Sequence, residues 1–180
     1  MNKTEDIQRI NIKLADSFER IKTNLSEAND IAGLFENLCT GIEKEFEVPY
    51  VWLTLIDTKM TDSVIAAVKS SDILMDRVKI IKPEVFREIL PSGIKPVLVN
   101  KDLQPYYKLL PATRKYFVKS LALIPFKIKE EIAGSWNNGD AYRDHYTPEM
   151  GTDLLQNLAQ ALSERLTELI AALNNDKLNL

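Results

Sequence analysis

The only histidine of the chain lies in the segment GDAYRDHYTPEM (residues 139–150), where acidic neighbours raise the question of proton transfer or metal binding. His145 has carboxylates around it at Asp140, Asp144 and Glu149. A histidine in either role needs a group that orients its ring and a geometry that faces a substrate or an ion. Acids one and five residues before a histidine on a loop are not a known ligand spacing. We therefore interpret the segment as a solvated turn that leads into a helix, and expect no catalytic residue and no metal site.

The single cysteine, Cys39 in the sequence LFENLCTGI, is predicted to be a buried thiol. One cysteine excludes an intrachain disulfide, a zinc knuckle and a CxxC redox motif. Cys39 follows Phe35 by one helical turn and therefore lies on the same apolar face. Reactive cysteines need exposure and an electropositive setting. We expect Cys39 to behave as a small buried hydrophobic residue.

A long amphipathic helix is predicted at each end of the chain. Apolar residues recur every three or four positions from residue 5 to about 28, and again after Thr147, the predicted N-cap, and Pro148 at the first helical position. We expect the two matched stripes to form a four-helix bundle across a dimer axis, with packing on the chain's own sheet as the alternative. The residues predicted at the dimer interface are Ile7, Ile10, Leu14, Phe18, Ile21, Leu158, Leu162, Leu166 and Leu169.

Between these two helices the sequence predicts further short helices and strands. A second helix is expected over residues 31–45, and PEVFREIL reads as another. The strands are expected in VPYVWLTLID, SVIAAVKS, PVLVN, SLALIPFKI and EEIAGSWNNGD. The first two are predicted to form a hairpin, and the last two to turn at residues 129–131. Because crossover helices do not separate the strands regularly, this order predicts an α+β fold with a mostly antiparallel sheet.

The bulk composition is typical of one globular domain. The chain has 180 residues, of which 45% are hydrophobic and 27% charged, so it can bury a core without disulfides or metals. A net charge of −3 argues against nonspecific nucleic-acid binding, which requires clustered lysine and arginine. No run approaches the roughly 18 apolar residues of a membrane span, and the N-terminus has no signal-peptide core, so we expect a cytoplasmic protein. We divide the chain into a helix for dimerisation or linking at 1–29, a domain at 30–174 and a tail at 175–180 that frays.

The order of elements, with the segments SLALIPFKI, EIAGSWNNGD and YTPEMGTDLLQNLAQALSERL, resembles the GAF domain family. In that family a small apolar strand is followed by a strand of the form GvL.lg, a polar turn and a helix rich in leucine and alanine. Residues 120–126, 132–137 and 153–166 are similar to the two strands and the helix. The most specific part is TPEMGTDLL, which is closest to a small uncharacterised bacterial GAF-like branch. The sequence departs from that branch at Trp136 and Asn137, where the branch has small or apolar residues.

The resemblance implies a six-stranded, mostly antiparallel sheet with the long terminal helices on one face and a small-molecule pocket on the other. It places aromatic residues around that pocket, with both tryptophans on the same face, as is typical of a ligand site with few polar groups. The candidate ligand-binding residues are Trp52, Thr54, Tyr106, Tyr107, Tyr116, Phe117 and Trp136. In the alternative interpretation these aromatic side chains fill the pocket and close it. The nearby cations Lys108, Arg114, Lys115 and Lys119 either favour an anionic ligand or form a solvated face.

GAF domains are typically sensory or dimerisation modules, and the resemblance therefore implies a non-catalytic regulatory function. We expect a homodimer that binds an unidentified small molecule and has no resident cofactor. The alternative is a ligand-free scaffold that recruits another protein through its terminal helices. Some GAF enzymes reduce free methionine sulfoxide with several cysteines, and phytochrome-type GAF domains attach a bilin through one. The chain has only one cysteine, and Cys39 is not placed as the cysteines of these proteins are. We therefore expect that this chain is not an enzyme.

Overall fold

The computed structural model describes residues 2–112 and 117–179, which form one sheet covered by helices. The helices are α1 (Lys3–Glu27), α2 (Ile31–Phe46), α3 (Asp62–Ser70), α4 (Pro83–Ile89) and α5 (Asp153–Leu178). The strands are β1 (Tyr50–Ile56), β2 (Val78–Ile81), β3 (Val97–Val99), β4 (Ser120–Ile128) and β5 (Glu131–Asp140). Short 3-10 helices cover Lys59–Thr61, Met75–Arg77 and Gln104–Leu109. Within these two ranges no helix is both long and apolar enough to cross a membrane.

The sheet has five strands among the described residues, not the six expected, in the order β2-β1-β5-β4-β3. The pairs β1–β5, β4–β5 and β3–β4 are antiparallel. Strand β2 joins the edge of the sheet parallel to β1, with Leu53 opposite Val78, so the sheet is mixed. The hairpin between β4 and β5 turns where the sequence predicts it, at Lys129, which has a left-handed φ of 55°. The α+β class is thus confirmed, and the strand count is corrected.

One of the predicted strands is a helix, because SVIAAVKS forms most of α3. Val64 and Val68 lie one helical turn apart, and both are fully buried in the cluster under α2. The preceding turn carries a capping box between Thr58 and Thr61, which starts the helical conformation directly after β1. This cap and the helical period outweigh the preference of valine and isoleucine for strands. The chain then returns as β2, a strand of four residues that the sequence pattern does not predict.

Helices α1, α2 and α5 cover one face of the sheet and bury the larger apolar cluster, here called the helix-side cluster. The rings of Phe35 in α2 and Phe126 in β4 lie 5.5 Å apart in this cluster. Helix α2 begins where the carboxylate of Asp30 accepts the Gly33 N–H at 2.7 Å, and it ends at Glu47, which has a left-handed backbone. The apolar face of α2 is therefore aligned on the sheet by a cap at each end.

Helix α5 begins later than the sequence predicts. The Met150 N–H donates to the Thr147 carbonyl at 3.1 Å, so Thr147 and Pro148 belong to a separate turn rather than to the helix. Pro148 lies at the second position of this turn, where its fixed φ is favoured. The N-cap of α5 is Thr152, and the helix starts at Asp153. A turn that contains proline and a helix that starts with proline have the same local sequence signal.

Two side chains of α5 close part of the free edge of β4. Ser163 Oγ accepts the Lys127 N–H, and Thr167 Oγ1 accepts the Lys129 N–H, each at 2.9 Å. Strand β3 pairs only with residues 121–123 of β4, so Lys127 at the end of β4 and Lys129 in the following turn lie beyond that pairing. Covering such an edge prevents its pairing with another chain. The helix then continues to Leu178.

The opposite face of the sheet is covered by α4 and by residues 103–110, here called the strap, which consist of the 3-10 helix Gln104–Leu109 and its two flanking leucines. Three strap leucines are buried against the sheet in a second apolar cluster, here called the strap-side cluster. Its buried members are Trp52, Ile56, Ile81, Phe86, Leu90, Leu103, Leu109, Leu110, Val118, Leu121 and Leu123. The sheet therefore lies between two layers, of which one contains the long helices and the other contains α4 and the strap.

Candidate functional site

Strand β5 presents alternate side chains to the two layers, and this separates the two tryptophans. In the register between β1 and β5, Trp136 lies opposite Leu53, and Trp52 lies opposite Asn137. Because successive residues of a strand face opposite sides, Trp136 belongs to the helix-side cluster and Trp52 to the strap-side cluster. The two rings therefore do not line one pocket, contrary to the expectation from the sequence.

A buried polar group lies beneath the strap, and we call its side chains, Trp52, Thr54, Ser135 and Asn137, the polar floor. Each of them is at most 1% exposed. Trp52 Nε1 and Thr54 Oγ1 both donate to the backbone carbonyl of Leu109, each at 2.9 Å. In the amide orientation that gives both side-chain atoms of Asn137 complementary partners, Nδ2 donates to Ser135 Oγ at 2.8 Å, and Oδ1 faces Thr54 Oγ1 at 2.8 Å and Trp52 Nε1 at 3.1 Å. These bonds satisfy polar atoms that would be costly to bury unpaired.

The other predicted ligand-binding residues do not enclose an open space above the polar floor. Tyr106 and Tyr107 are partly buried in the strap and pack against the strap-side cluster. Phe117 is 61% exposed and thus faces solvent. Tyr116 lies outside the described residues. Trp52 belongs to the same buried cluster as the leucines of the strap, and its Nε1 donates to the Leu109 carbonyl.

The clefts of the described surface include a groove of about 500 Å³ between β4 and α5. Its lining includes the charged and polar side chains of Lys127, Lys129, Gln160 and Glu164. None of the predicted ligand-binding residues lines this groove. In the part of the chain that the structure describes, no group of three or more His, Cys, Asp or Glu side chains is placed to hold a metal ion.

His145 is paired with a buried carboxylate, a contact that the sequence does not predict. Its Nδ1 lies 2.7 Å from Asp140 Oδ2, and the side chain of Asp140 is only 5% exposed. Asp140 also accepts the Tyr142 N–H at 2.8 Å. Ser120 Oγ donates to the Tyr142 carbonyl at 2.7 Å and accepts the Tyr146 N–H at 3.4 Å. Serine, histidine and aspartate thus meet here, but their bonds anchor the loop after β5, since the serine hydroxyl is engaged by loop backbone.

Two buried titratable groups on the helix side are held in their neutral forms. Burial raises the pKa of Cys39 to about 12, so the thiol is protonated at neutral pH, as predicted from its apolar surroundings. Burial also raises the pKa of Tyr146, an effect that a hydrogen bond with Asn138 partly offsets. Asn138 Oδ1 in addition accepts the Trp136 Nε1–H at 3.1 Å. Both groups serve packing, and neither has the charge that a nucleophile or a base requires.

The stripe predicted at a dimer interface is divided between the core and the surface. Phe18 and Ile21 of α1 are buried in the helix-side cluster of the same chain. The same cluster buries the predicted α5 residues, Leu158, Leu162, Leu166 and Leu169. These six side chains are therefore not available to a second chain. Ile7, Ile10 and Leu14, in contrast, are exposed by 51%, 64% and 39%.

The exposed part of α1 borders a groove of about 580 Å³ that it forms with the end of α2. Ile10, Leu14 and the partly buried Phe46 give this groove apolar walls. Arg20 and Glu45 form a two-pronged ion pair along it, with Nη2 to Oε2 at 2.7 Å and Nε to Oε1 at 3.1 Å. Hydrogen bonding to the Arg20 guanidinium lowers the pKa of Glu45. The groove thus combines apolar walls with a charged border, as protein contact surfaces often do.

Solved structures with a similar fold come from three different contexts. The free methionine-R-sulfoxide reductase of Neisseria meningitidis, in complex with its substrate, has a TM-score of 0.59 and 15% identity, with 86% of this chain and 89% of that chain covered. The GAF domain of an Acinetobacter phosphoenolpyruvate-protein phosphotransferase has a TM-score of 0.57 and 12% identity, with 91% and 98% covered. A protein with bound biliverdin, in its far-red absorbing dark state, has a TM-score of 0.56 and 12% identity, with 86% of this chain and 99% of that chain covered.

The sequence itself matches no protein-family model and no curated protein. At 12% to 15% identity, the three structural likenesses establish a common architecture and carry neither the activity of the enzyme nor the pigment of the biliverdin protein. One of the three is a GAF domain, and its length is covered almost completely. The chain described here therefore has a GAF-like fold.

Proposed function

We propose that this chain is a non-catalytic, cytoplasmic regulatory module that acts as a homodimer through the first half of α1. The observation that carries this proposal is the row of Ile7, Ile10 and Leu14, which are exposed on a helix segment that the described part of the chain leaves uncovered. A GAF domain within a phosphotransferase is a precedent for such a module beside other domains.

The chemistry of the α1 surface favours a second copy of the same chain as its partner. Burial of apolar surface contributes roughly 25 cal/mol per Å², and a two-fold axis would bury the same stripe from both chains. The adjoining groove with Phe46 provides a recess for side chains of the partner. Lys13 and Asp16 lie on the same groove, so opposite charges can meet across the axis.

The packing beneath the strap favours a scaffold over a sensor with an open pocket. The strap leucines already occupy the face where an aromatic-lined pocket is expected, and Leu109 also satisfies the donors of the polar floor. The residues whose side chains could take part in catalysis have structural roles instead. Cys39 is fully buried, and Ser120 and His145 hold a loop. Regulation through contacts of α1 requires none of these groups to react.

The test is the double variant Ile10→Lys with Leu14→Lys, measured by light scattering at tens of micromolar. We expect the unmodified chain to be a dimer and the double variant a monomer with an unchanged melting temperature, because both side chains are exposed. Ile12→Lys is the matched control, since Ile12 is 63% exposed and lies on the other side of the helix. It should remain dimeric. A monomeric unmodified chain, or a double variant that is folded and still dimeric, would refute the proposal.

A further inference from the structure

We propose that the outer edge of β2, here called the β2 edge, binds an extended acidic segment of a partner protein, which adds to the sheet as a further strand. This inference goes beyond the homodimer proposed above, because the β2 edge belongs to the sheet rather than to α1 and its occupant is a different protein. It rests on three features of the structure: outward backbone groups at the edge, lysines without ion-pair partners, and an apolar layer that ends at β2.

Strand β2 is the outermost strand on one side of the sheet, and alternate residues direct their backbone groups away from β1. The Asp57 N–H donates to the Ile81 carbonyl at 2.9 Å, so the polar groups of Ile81 are directed to β1. Because this direction alternates along a strand, those of Lys79 are also directed to β1, and those of Val78 and Ile80 point outward. The described residues provide no hydrogen-bond partner for these outward groups. The β2 edge therefore offers the N–H and the carbonyl of both residues to an added strand.

The other side of the sheet is less open to such an addition. Strand β3 has only the three residues Val97–Val99 and follows Pro96, which lacks an N–H. Beyond β3, the edge of β4 is covered by the side chains of Ser163 and Thr167. Strand β2 has four residues, and residues 78–80 remain partly exposed. The β2 edge is therefore the side of the sheet at which the described chain leaves most room for another strand.

The β2 edge is fixed at both ends before any partner binds. Arg77, directly before β2, forms an ion pair with Glu43 of α2. After β2, the Lys82 carbonyl accepts the Phe86 N–H at 3.1 Å in the first turn of α4. A binding surface that is already ordered loses little conformational entropy when a complex forms. The partner segment is therefore the only part that must become ordered.

The charge of the β2 edge selects an acidic partner over a second copy of the chain. Lys79 and Lys82 form no ion pair with any described residue, although Asp76 and Glu84 lie close to them in the sequence. Pairing of two β2 strands about a two-fold axis would place Lys79 opposite or diagonal to the same residue of the other copy, and like charges across strands are destabilising. A carboxylate beside Lys79 would instead be attracted to it. Edge lysines thus oppose self-pairing and favour an acidic strand.

The partner segment must also continue the apolar layer on the helix side of the sheet. Val78 lies opposite Leu53 in β1 and packs against the helix-side cluster, and Ile80 shares its face. Lys79 lies on the other face, next to Thr54. Side chains of an added strand alternate in the same way. The segment that fits therefore alternates apolar residues on the helix side with aspartate or glutamate on the side of Lys79.

The probe is a seven-residue peptide in which valine alternates with glutamate, with acetylated and amidated ends, and the receptor is the full-length chain. We expect saturable binding in isothermal titration calorimetry. Lys79→Glu should weaken the binding at least tenfold. Lys177→Glu is the matched control, since Lys177 is exposed near the end of α5, and it should bind the peptide as the unmodified chain does. The inference is overturned if the unmodified chain does not bind the peptide, or if folded Lys79→Glu binds it equally well.

A second pair of peptides tests the backbone pairing on the unmodified chain, so it does not depend on the folding of a variant. N-methylation of all valines, or of all glutamates, removes the N–H groups from one side of the added strand only. One of the two methylated peptides should bind at least tenfold more weakly than the other, because only one side of the strand faces β2. Equal affinities of the two would show attraction of charges without strand pairing, and would overturn the inference.

Deuterium exchange of single amides, measured by NMR, locates the bound peptide on the chain. The Ile80 N–H points outward and should exchange at least tenfold more slowly in the saturated complex. The Lys79 N–H, which is directed to β1, should change less than twofold. Equal changes at the two amides would overturn the inference. The double variant Ile10→Lys with Leu14→Lys should bind the peptide as the unmodified chain does, so a failure of the homodimer is distinguishable from a failure of the β2 edge.

Discussion

Gly134 of β5 lies so close to Thr54 of β1 that no side chain fits between the two strands. A Cβ atom at Gly134 would overlap the Thr54 carbonyl oxygen and would come within 3.2 Å of the Leu55 Cα. These are backbone atoms of the adjacent strand, which cannot turn aside as a flexible side chain can. The glycine lies next to the irregularity in the register between β4 and β5.

Gly134→Ala should therefore destabilise the domain by about 1–3 kcal/mol, because β1 and β5 must move apart. Urea denaturation at neutral pH measures the change in the free energy of unfolding. Gly151→Ala is the matched control, since a Cβ there meets no atom within 4 Å, and it should stay within about 0.5 kcal/mol of the unmodified chain. Equal effects of the two substitutions would contradict the close approach at Gly134.

The double variant Ser163→Ala with Thr167→Val should lose about 2 kcal/mol of stability, or about 1 kcal/mol for each N–H that loses its acceptor. It should also aggregate more readily on heating, because the edge of β4 becomes available for pairing. Turbidity during a thermal scan checks the second effect. Thr40→Val is the control, because Thr40 is exposed and its hydroxyl bonds only within α2. If the double variant behaves like this control, α5 does not protect the edge.

Leu162→Lys and Leu166→Lys should unfold the domain rather than dissociate a dimer. Both leucines are fully buried in the helix-side cluster, so each lysine would place an unpaired charge in the core of a single chain. We expect the two substitutions together to lower the free energy of unfolding by more than about 4 kcal/mol. The loss of the near-ultraviolet circular dichroism signal would report this unfolding. A folded monomer with both substitutions would instead place these leucines at an interface between chains.

Stability should fall with pH in alkaline solution because of Cys39. The thiol has its ordinary pKa of 9.0 in the unfolded chain and a pKa of about 12 in the folded chain, so above about pH 9 the unfolded state binds fewer protons. The contribution of the buried, protonated thiol to the free energy of unfolding is fully present below about pH 9. Above about pH 9 this contribution decreases by up to about 1.4 kcal/mol per pH unit. Urea denaturation between about pH 8 and pH 10 measures the slope. Cys39→Ala should have a shallower slope, and identical slopes would show that the thiolate is tolerated.

The sequence predicts the long elements well because they repeat a single period. The apolar spacing of three and four residues in α1 and α2, and the apolar run of β4 before its turn, are strong enough to locate these elements. The segment of α3 is ambiguous, because Val64 and Val68 suit a strand locally. The capping box of the preceding 3-10 turn and the packing under α2 decide for a helix. Strand β2 has only four residues and depends on pairing with its parallel neighbour β1, so it cannot be recognised from the sequence pattern.

The candidate site was harder to predict than the fold, because it depends on register and on distant pairing. Asn137 and Asn138 lie in a strand that the sequence predicts, but asparagine is more typical of turns, and nothing local indicates that both side chains are buried in the sheet. The face on which Trp52 and Trp136 lie follows from pairing of β1 with β5, which no local pattern contains. The contact of His145 with Asp140 likewise forms only when the loop after β5 closes.

The separation of Trp52 and Trp136 by the thickness of the sheet gives this protein one intrinsic fluorophore in each layer. The emission of a buried indole moves to longer wavelength when water reaches it, so replacing either tryptophan by phenylalanine yields a chain that reports on one layer alone. If both single-tryptophan chains melt together, the sheet couples its two sides into one cooperative unit. If the Trp52 signal changes first, the side facing the strap has a thermal transition of its own.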